Sequence, residues 1–256
     1  MPTYGFISLC ALAVAVVLIR RYARIEGLDP KATAESIVLT IAVGFFGARI
    51  FEALINWDRY FGRPGGLGLL LYSTGVFFGG LITAIPFCVF WFRHIGLPVL
   101  QGLDILALVA CVAEGVGRWG CFFSGCCFGT PTDLPWAVTF PEIARRLHAG
   151  LPGTPIHPTQ IYMSITSILI LGILVMLYRN KRFHGRIIST YVLLYAVTRF
   201  FIEFVRGDPD RGFVFGSRWS TSQFLGLVLT VLAVLSYVAL DRRHRLSGEP
   251  DWRPAS

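Results

Sequence analysis

The chain has 256 residues, 54% of them hydrophobic and only 15% charged, and its mean hydropathy is +0.63. A soluble domain carries about 25% charge, so a cytosolic globule is excluded, and a chain this apolar cannot stay disordered. The net charge of +8 is scattered between apolar runs rather than gathered in one stripe, which argues for no nucleic-acid partner and for a polytopic membrane protein in contact with membrane lipid.

Seven stretches approach the roughly 20 apolar residues that cross a bilayer. They run from Tyr4 to Ile19, Ser36 to Ile55, Leu67 to Phe92, Leu97 to Gly115, Pro158 to Tyr178, Ile187 to Val205 and Trp219 to Leu240. The predicted architecture is an all-α integral membrane protein, a seven-helix transmembrane bundle forming a single polytopic domain over residues 1–256. No basic residue precedes the first run and Arg20 and Arg21 follow it, so it reads as a span rather than a cleaved signal peptide. The one long connection, residues 119–157, holds too many Trp, Phe and Cys residues to be merely disordered. Residues 241–256 form a basic tail. Thirteen basic residues, including both lysines, fall on one side of these spans and eight on the other. That asymmetry places the N-terminus and the 119–157 loop outside, and the tail in the cytoplasm.

Arg49, Glu52, Glu114, Arg118, Arg199 and Glu203 stand in or against the spans. Each costs several kcal/mol in lipid unless it faces a partner, water or the bundle interior. Glu114 and Arg118 are four residues apart, as are Arg199 and Glu203, so each pair shares a helix face and can form an ion pair. A pocket that gathers several guanidinium groups in a membrane suits a phospholipid headgroup, because the planar fork of arginine grips phosphate through two bonds.

Glycines cluster in the same region. Gly44 and Gly47 suit close helix packing, and Gly75, Gly79 and Gly80 interrupt the third span. The run GVGRWGCFFSGCCFG, Gly115 to Gly129, reads as a loop whose backbone N–H groups bind anionic oxygen rather than as a packed helix. HPTQIY, His157 to Tyr162, opens the fifth span with Pro158 in its first turn, setting His157 and Gln160 at the outer membrane surface.

These motifs, in this order, resemble the prolipoprotein diacylglyceryl transferases of bacterial plasma membranes. The resemblance runs from Tyr4 and Gly5 through GARIF (Gly47 to Phe51), FFGGL (Phe77 to Leu81), GRWGCF (Gly117 to Phe122), HPTQIY and YAVTRFFIEFVR (Tyr195 to Arg206) to the Ser220–Gln223 segment. It implies an inner-membrane, multi-pass enzyme whose partners are phosphatidylglycerol and prolipoprotein signal peptides. The thiol of a lipobox cysteine attacks a glycerol carbon of the lipid, forming a thioether and releasing glycerol phosphate, with no metal or cofactor. The resemblance makes Arg118 the central phosphate contact and Arg199 an essential arginine, with Tyr195, Glu203 and Tyr4 as their neighbours. Together with the residue readings above, the expected catalytic set is Arg118, Arg199, Tyr195 and His157, and the expected substrate-binding set is Tyr4, Arg49, Gly79, Gly80, Gln160, Glu203 and Gln223.

Three positions depart from the family pattern. Phe78 stands where well-studied members have a histidine proposed as base, Cys121 and Cys126 replace Asn and Glu, and Met163 replaces the last Glu of HPxQLYE. The spacing of Cys121, Cys126 and Cys127 lacks the paired knuckles of a structural zinc site. A disulfide from Cys121 to Cys126 or Cys127 leads the readings, ahead of a reactive thiol assisted by Arg118, a metal site and plain packing. Two alternatives to the transferase stand beside it: a paralogue carrying out another cysteine-dependent transfer, and a phospholipid-binding or transport protein without chemistry.

Overall fold

The computed structural model describes residues 2–62, 68, 76–147, 150–207, 213–214, 219–248 and 250–252. The described chain is almost entirely helical: α1 (Pro2–Ile25), α2 (Pro30–Ile55), α3 (Trp57–Tyr60), α4 (Phe77–His94), α5 (Val99–Ser124), α6 (Glu142–Leu147), α7 (Thr159–Arg179), α8 (Arg186–Ile202) and α9 (Thr221–Ser247). A 3-10 turn, Glu203–Val205, extends α8, and a two-residue antiparallel pair, β1 (Phe213–Val214) with β2 (Trp219–Ser220), leads into α9.

Among the described residues, five helices are long and apolar enough to cross a membrane: α2, α5, α7, α8 with its 3-10 extension, and α9. The protein is a multi-pass, all-helical membrane protein. The count of seven is met only in part. Helix α1 covers the first predicted span, and α4, 18 residues with Pro86 inside it, covers only the second half of the third. Residues 69–75 of that span lie outside the described set.

Two compact units form, one of Ile19–Gly102 and the other of Met1–Leu18 with Leu103–Ser256. In the first unit α2 packs against α4. Asp29 caps α2 through bonds from the N–H groups of Lys31 and Ala32, and Trp91 donates to Ser36 across the pair at 3.2 Å. The close approach depends on glycine. A Cβ at Gly47 would overlap Thr83, one at Gly79 would overlap Phe51, and one at Gly80 would meet the Gly44 carbonyl oxygen at 3.0 Å. Gly79 and Gly80 therefore serve this helix contact, as Gly44 and Gly47 do. We expect Gly79→Val to destabilise the protein by about 1–3 kcal/mol through overpacking, read as a lowered unfolding midpoint in detergent; an unchanged midpoint would show that the helices do not meet there.

Helix α7 shows how the second unit is built. Thr159, Gln160, Met163, Ser164, Ser167, Ile170, Leu174 and Tyr178 are buried at helical spacing. Ile165, Ile168, Leu169 and Met176 point outward, each more than half exposed. The polar residues Thr159, Gln160, Ser164 and Ser167 are all on the inner face while the outer face is large and aliphatic, the polarity of a helix whose outer solvent is hydrocarbon. Ser164 donates to the Gly115 carbonyl at 2.7 Å, which seats α7 against α5.

That contact accompanies a correction to the sequence reading. The run from Gly115 is helical through Ser124, so Gly115, Gly117, Arg118 and Gly120 belong to α5 and not to an anion-binding loop. Small residues let α7 approach, and the helix stops only at Gly125, whose φ is +79°. Its N–H bonds the Phe122 carbonyl and that of Cys126 bonds the Cys121 carbonyl, which is a Schellman stop. The connection thus begins near residue 125 rather than 119, and contains α6. It carries its own apolar core of Phe128, Phe140, Ala144, Leu151 and Ile156. At the other end α9 runs seven residues beyond the predicted Leu240, through half of what reads as a tail.

The innermost group of this unit is ionic. Lys181 and Asp104 pair at 2.9 Å with both side chains fully buried. Asp104 also accepts from the N–H groups of Gly185 at 2.8 Å and Ile188 at 2.9 Å, at the start of α8. The Lys181 ammonium lies over the rings of Tyr178 and Trp252.

Candidate active site

The site residues of the second unit come from the ends of α5, α7 and α8 and the start of α9. Arg118 and Glu114, one turn apart on α5, pair at 3.0 Å. Arg199 and Glu203, one turn apart at the end of α8, are bonded through Nη1 and Oε2, and Arg206 approaches the same oxygen at 3.9 Å. Glu203 is only 1% exposed. Arg199 also donates to Ser222 at 3.1 Å, at the first turn of α9.

Tyr195 joins the two pairs. One turn before Arg199 on α8, it lies within electrostatic reach of Glu114, Arg118 and Arg199. Its ring stacks on Tyr191, with centroids 5.8 Å apart. Two guanidinium groups from different helices therefore lie within electrostatic reach of one phenol. Each is oriented by a carboxylate that also offsets part of the cost of holding a cation in lipid.

The second layer is the cysteine loop. Cys121, Cys126 and Cys127 are free thiols whose sulfur atoms lie within 4.8 Å of one another. The expected disulfide is not formed. Among the described residues Cys127 is the one non-glycine with a positive φ, +58°, a conformation costing on the order of 1–3 kcal/mol that the surroundings must hold. Two residues of α7 supply the hold. Thr159 donates to the Cys127 carbonyl at 2.6 Å and Gln160 to the Cys126 carbonyl at 2.7 Å. Gln160 is thus buried, and its Oε1 has no partner among the described residues.

The Cys121 and Cys126 side chains beside it, reinforced by the Arg206 and Arg118 guanidiniums, pull the Cys127 thiol below its usual range, while the Cys126 thiol donates to the Cys121 carbonyl at 3.7 Å. The bonds Cys126 shares with Cys121 and Cys127 push it up. The backbone keeps Arg206 in place: Gly129 bonds His157, Thr130 bonds Val205 and Gly207 bonds Phe128. A Cβ at Gly129 would strike the His157 carbonyl, so this crossing needs glycine.

His157 lies at the rim. Trp136 donates to the Tyr162 hydroxyl at 2.8 Å, and that hydroxyl is 3.2 Å from His157 Nδ1. Gln223 forms a capping box with Ser220 at the start of α9, which positions Ser222 toward Arg199. In the other unit Arg49 lies over the Phe45 ring at 4.2 Å, and Glu52 accepts from Tyr60 at 3.0 Å. The side chains of Tyr4 and Phe78 lie outside the described residues. Ser222, Arg206, Thr159 and Tyr162 are site neighbours without a sequence signal beyond their place in or beside the motifs.

Residues 1–239 match the family described as prolipoprotein diacylglyceryl transferase. The chain belongs to this family. Its relatives include the phosphatidylglycerol–prolipoprotein diacylglyceryl transferase of Clostridium tetani, 32% identical over 247 residues, covering 93% of either chain. The enzyme of the same name from Symbiobacterium thermophilum is 31% identical over 96% of this chain and 91% of its own. That of Finegoldia magna is 29% identical over 94% and 91%. As a diacylglyceryl transferase family member, the protein is a transferase.

Proposed function

We propose that this protein transfers the diacylglyceryl group of phosphatidylglycerol to the lipobox cysteine of a prolipoprotein, forming a thioether in lipoprotein maturation. The observation that carries the reading is that Arg118 and Arg199, each paired with a carboxylate one turn away, lie within electrostatic reach of one tyrosine, Tyr195. Such a pair of forks can accept a phosphodiester between them. In the reaction the thiol sulfur bonds to the glycerol carbon while the bond from that carbon to the phosphate oxygen breaks. The electron pair leaves on glycerol phosphate, and the arginines stabilise the negative charge that grows there. Glu114 and Glu203 keep the forks aimed, Tyr195 donates toward the departing phosphate, and His157 stands at the rim where the signal peptide enters.

In this reading the protein sits in the bacterial inner membrane as a single domain, N-terminus outside and C-terminus in the cytoplasm. The connection within residues 119–157 is then on the outer face, where a translocated preprotein presents its cysteine. Expression in a bacterium depleted of its own transferase tests the reading, with labelled lipid incorporation into a reporter lipoprotein as readout. Incorporation is expected. Its absence despite correct membrane insertion would overturn the proposal.

A further inference from the structure

An attacking thiol must first become a thiolate, and a free cysteine, with a pKa near 8.5, is only a few per cent ionised at neutral pH. Among the described residues the carboxylates beside the arginines are engaged: Glu114 holds Arg118 and Glu203 holds Arg199 and Arg206. What the mechanism above leaves unused is the thiol cluster beside Arg118.

Three sulfur ligands on a tetrahedral zinc ion, at about 2.3 Å each, lie roughly 3.8 Å from one another. The three sulfurs here, within 4.8 Å of one another, need only small rotations to reach that arrangement. The backbone is already fixed for it by the helix stop at Gly125, the left-handed Cys127 and the bonds from Thr159 and Gln160. All three cysteines are partly exposed, so a solute ion can reach them. A zinc ion with three thiolates carries a net negative charge, and Arg118 and Arg206, both within electrostatic reach of Cys127, are the cations that match it.

We infer that Cys121, Cys126 and Cys127 bind a zinc ion whose fourth position takes the substrate cysteine as a thiolate. The inference rests on the transferase reading and deepens it. Three protein ligands leave the open position that a catalytic zinc keeps, and a thiol bound there is deprotonated outright. The proton passes to water as the sulfur binds. The zinc-bound sulfur then attacks the glycerol carbon, the carbon–oxygen bond to phosphate breaks, and glycerol phosphate leaves with the electron pair on the side of the arginines. The product thioether is a weaker ligand than a thiolate and gives up the position to the next substrate. No electron is gained or lost, so no oxidant or reductant is required.

The test uses full-length protein purified in detergent under a non-chelating reductant, incubated with zinc chloride and freed of excess. Metal analysis should find about one tightly held zinc per chain, the number one such site takes. Cys121→Ser, Cys126→Ser and Cys127→Ser should each reduce it to background, while Cys10→Ser leaves it intact. Cobalt in place of zinc should give the visible absorption of a tetrahedral thiolate site. Chelation should lower transfer to a lipobox peptide by roughly 10- to 30-fold, about the gain from full ionisation of a thiol near neutral pH, and zinc should restore it. Transfer at full rate by zinc-free, reduced protein overturns the inference and leaves the transferase reading standing. A disulfide within the cluster in active enzyme also overturns it. Stoichiometric zinc with no transfer in either state supports the metal site but overturns the thiol activation and the transferase reading together.

Discussion

Replacing Arg118 by glutamine is expected to slow transfer by about 10²–10³-fold, the loss seen when one preorganised donor to a developing oxyanion is removed. The effect should fall on the chemical step and persist at saturating phosphatidylglycerol. Charge grows on the phosphate as the carbon–oxygen bond breaks, so the guanidinium matters more in the transition state than in the bound lipid. Lysine at this position should recover little. Its ammonium keeps the charge but lacks the planar fork that can hold Glu114 on one edge, at 3.0 Å, and phosphate oxygens on the other. Glu114→Gln should cost less, because the fork remains and only its aim is loosened. Initial rates of labelled-lipid transfer, with unfolding midpoints to confirm an intact fold, check all three. A fully active Arg118→Lys protein would mean that this residue supplies charge alone.

The second large effect is on stability and lies away from the site. Asp104→Asn and Lys181→Met should each destabilise the protein by about 3–5 kcal/mol, because each leaves the other charge buried without its partner. Both side chains are fully buried, so water cannot take over. Asp104 also ties the first turn of α8 to α5 through Gly185 and Ile188, so its loss should loosen the helix that carries Tyr195 and Arg199. The double variant Asp104→Asn with Lys181→Met should be more stable than the sum of the singles predicts, since no uncompensated charge remains. Denaturation in detergent measures all three; strictly additive losses would show that the two charges do not act as a pair.

That pair also marks a limit of the sequence. An acid one turn inside a span is visible, but its partner lies far along the chain in a connection, and nothing in the spacing joins them. The two ion pairs of the site were legible because four-residue separation on a helix puts both partners on one face, and Glu114–Arg118 and Arg199–Glu203 are both formed. The meeting at Tyr195 was not, since it depends on how α5 and α8 pack. The glycine run from Gly115 misled for a physical reason. In water so many glycines would undo a helix, whereas between membrane helices they let Ser164 reach a carbonyl, so the helix continues to Ser124. Gln160 and Gln223 are polar residues at a membrane face, which reads as ligand contact. In the structure they bond the Cys126 carbonyl and cap α9, roles that spacing alone cannot separate from substrate binding. Ser222, in the first turn of α9, and Arg206, just past the 3-10 turn, hold Arg199 and Glu203 from helix ends where no periodicity signals them.

Whether Arg118 and Arg199 serve one phosphate is the question on which the account turns, and a double-mutant cycle on transfer from phosphatidylglycerol answers it. Rates are measured for the parent, Arg118→Lys, Arg199→Lys and the double variant, each retaining charge so that all four stay measurable. Two forks on one phosphate predict a double variant that departs from the product of the single losses by at least about 1 kcal/mol of coupling, as for residues acting as a unit. Losses that multiply to within about 0.3 kcal/mol, the behaviour of independent positions, would contradict it.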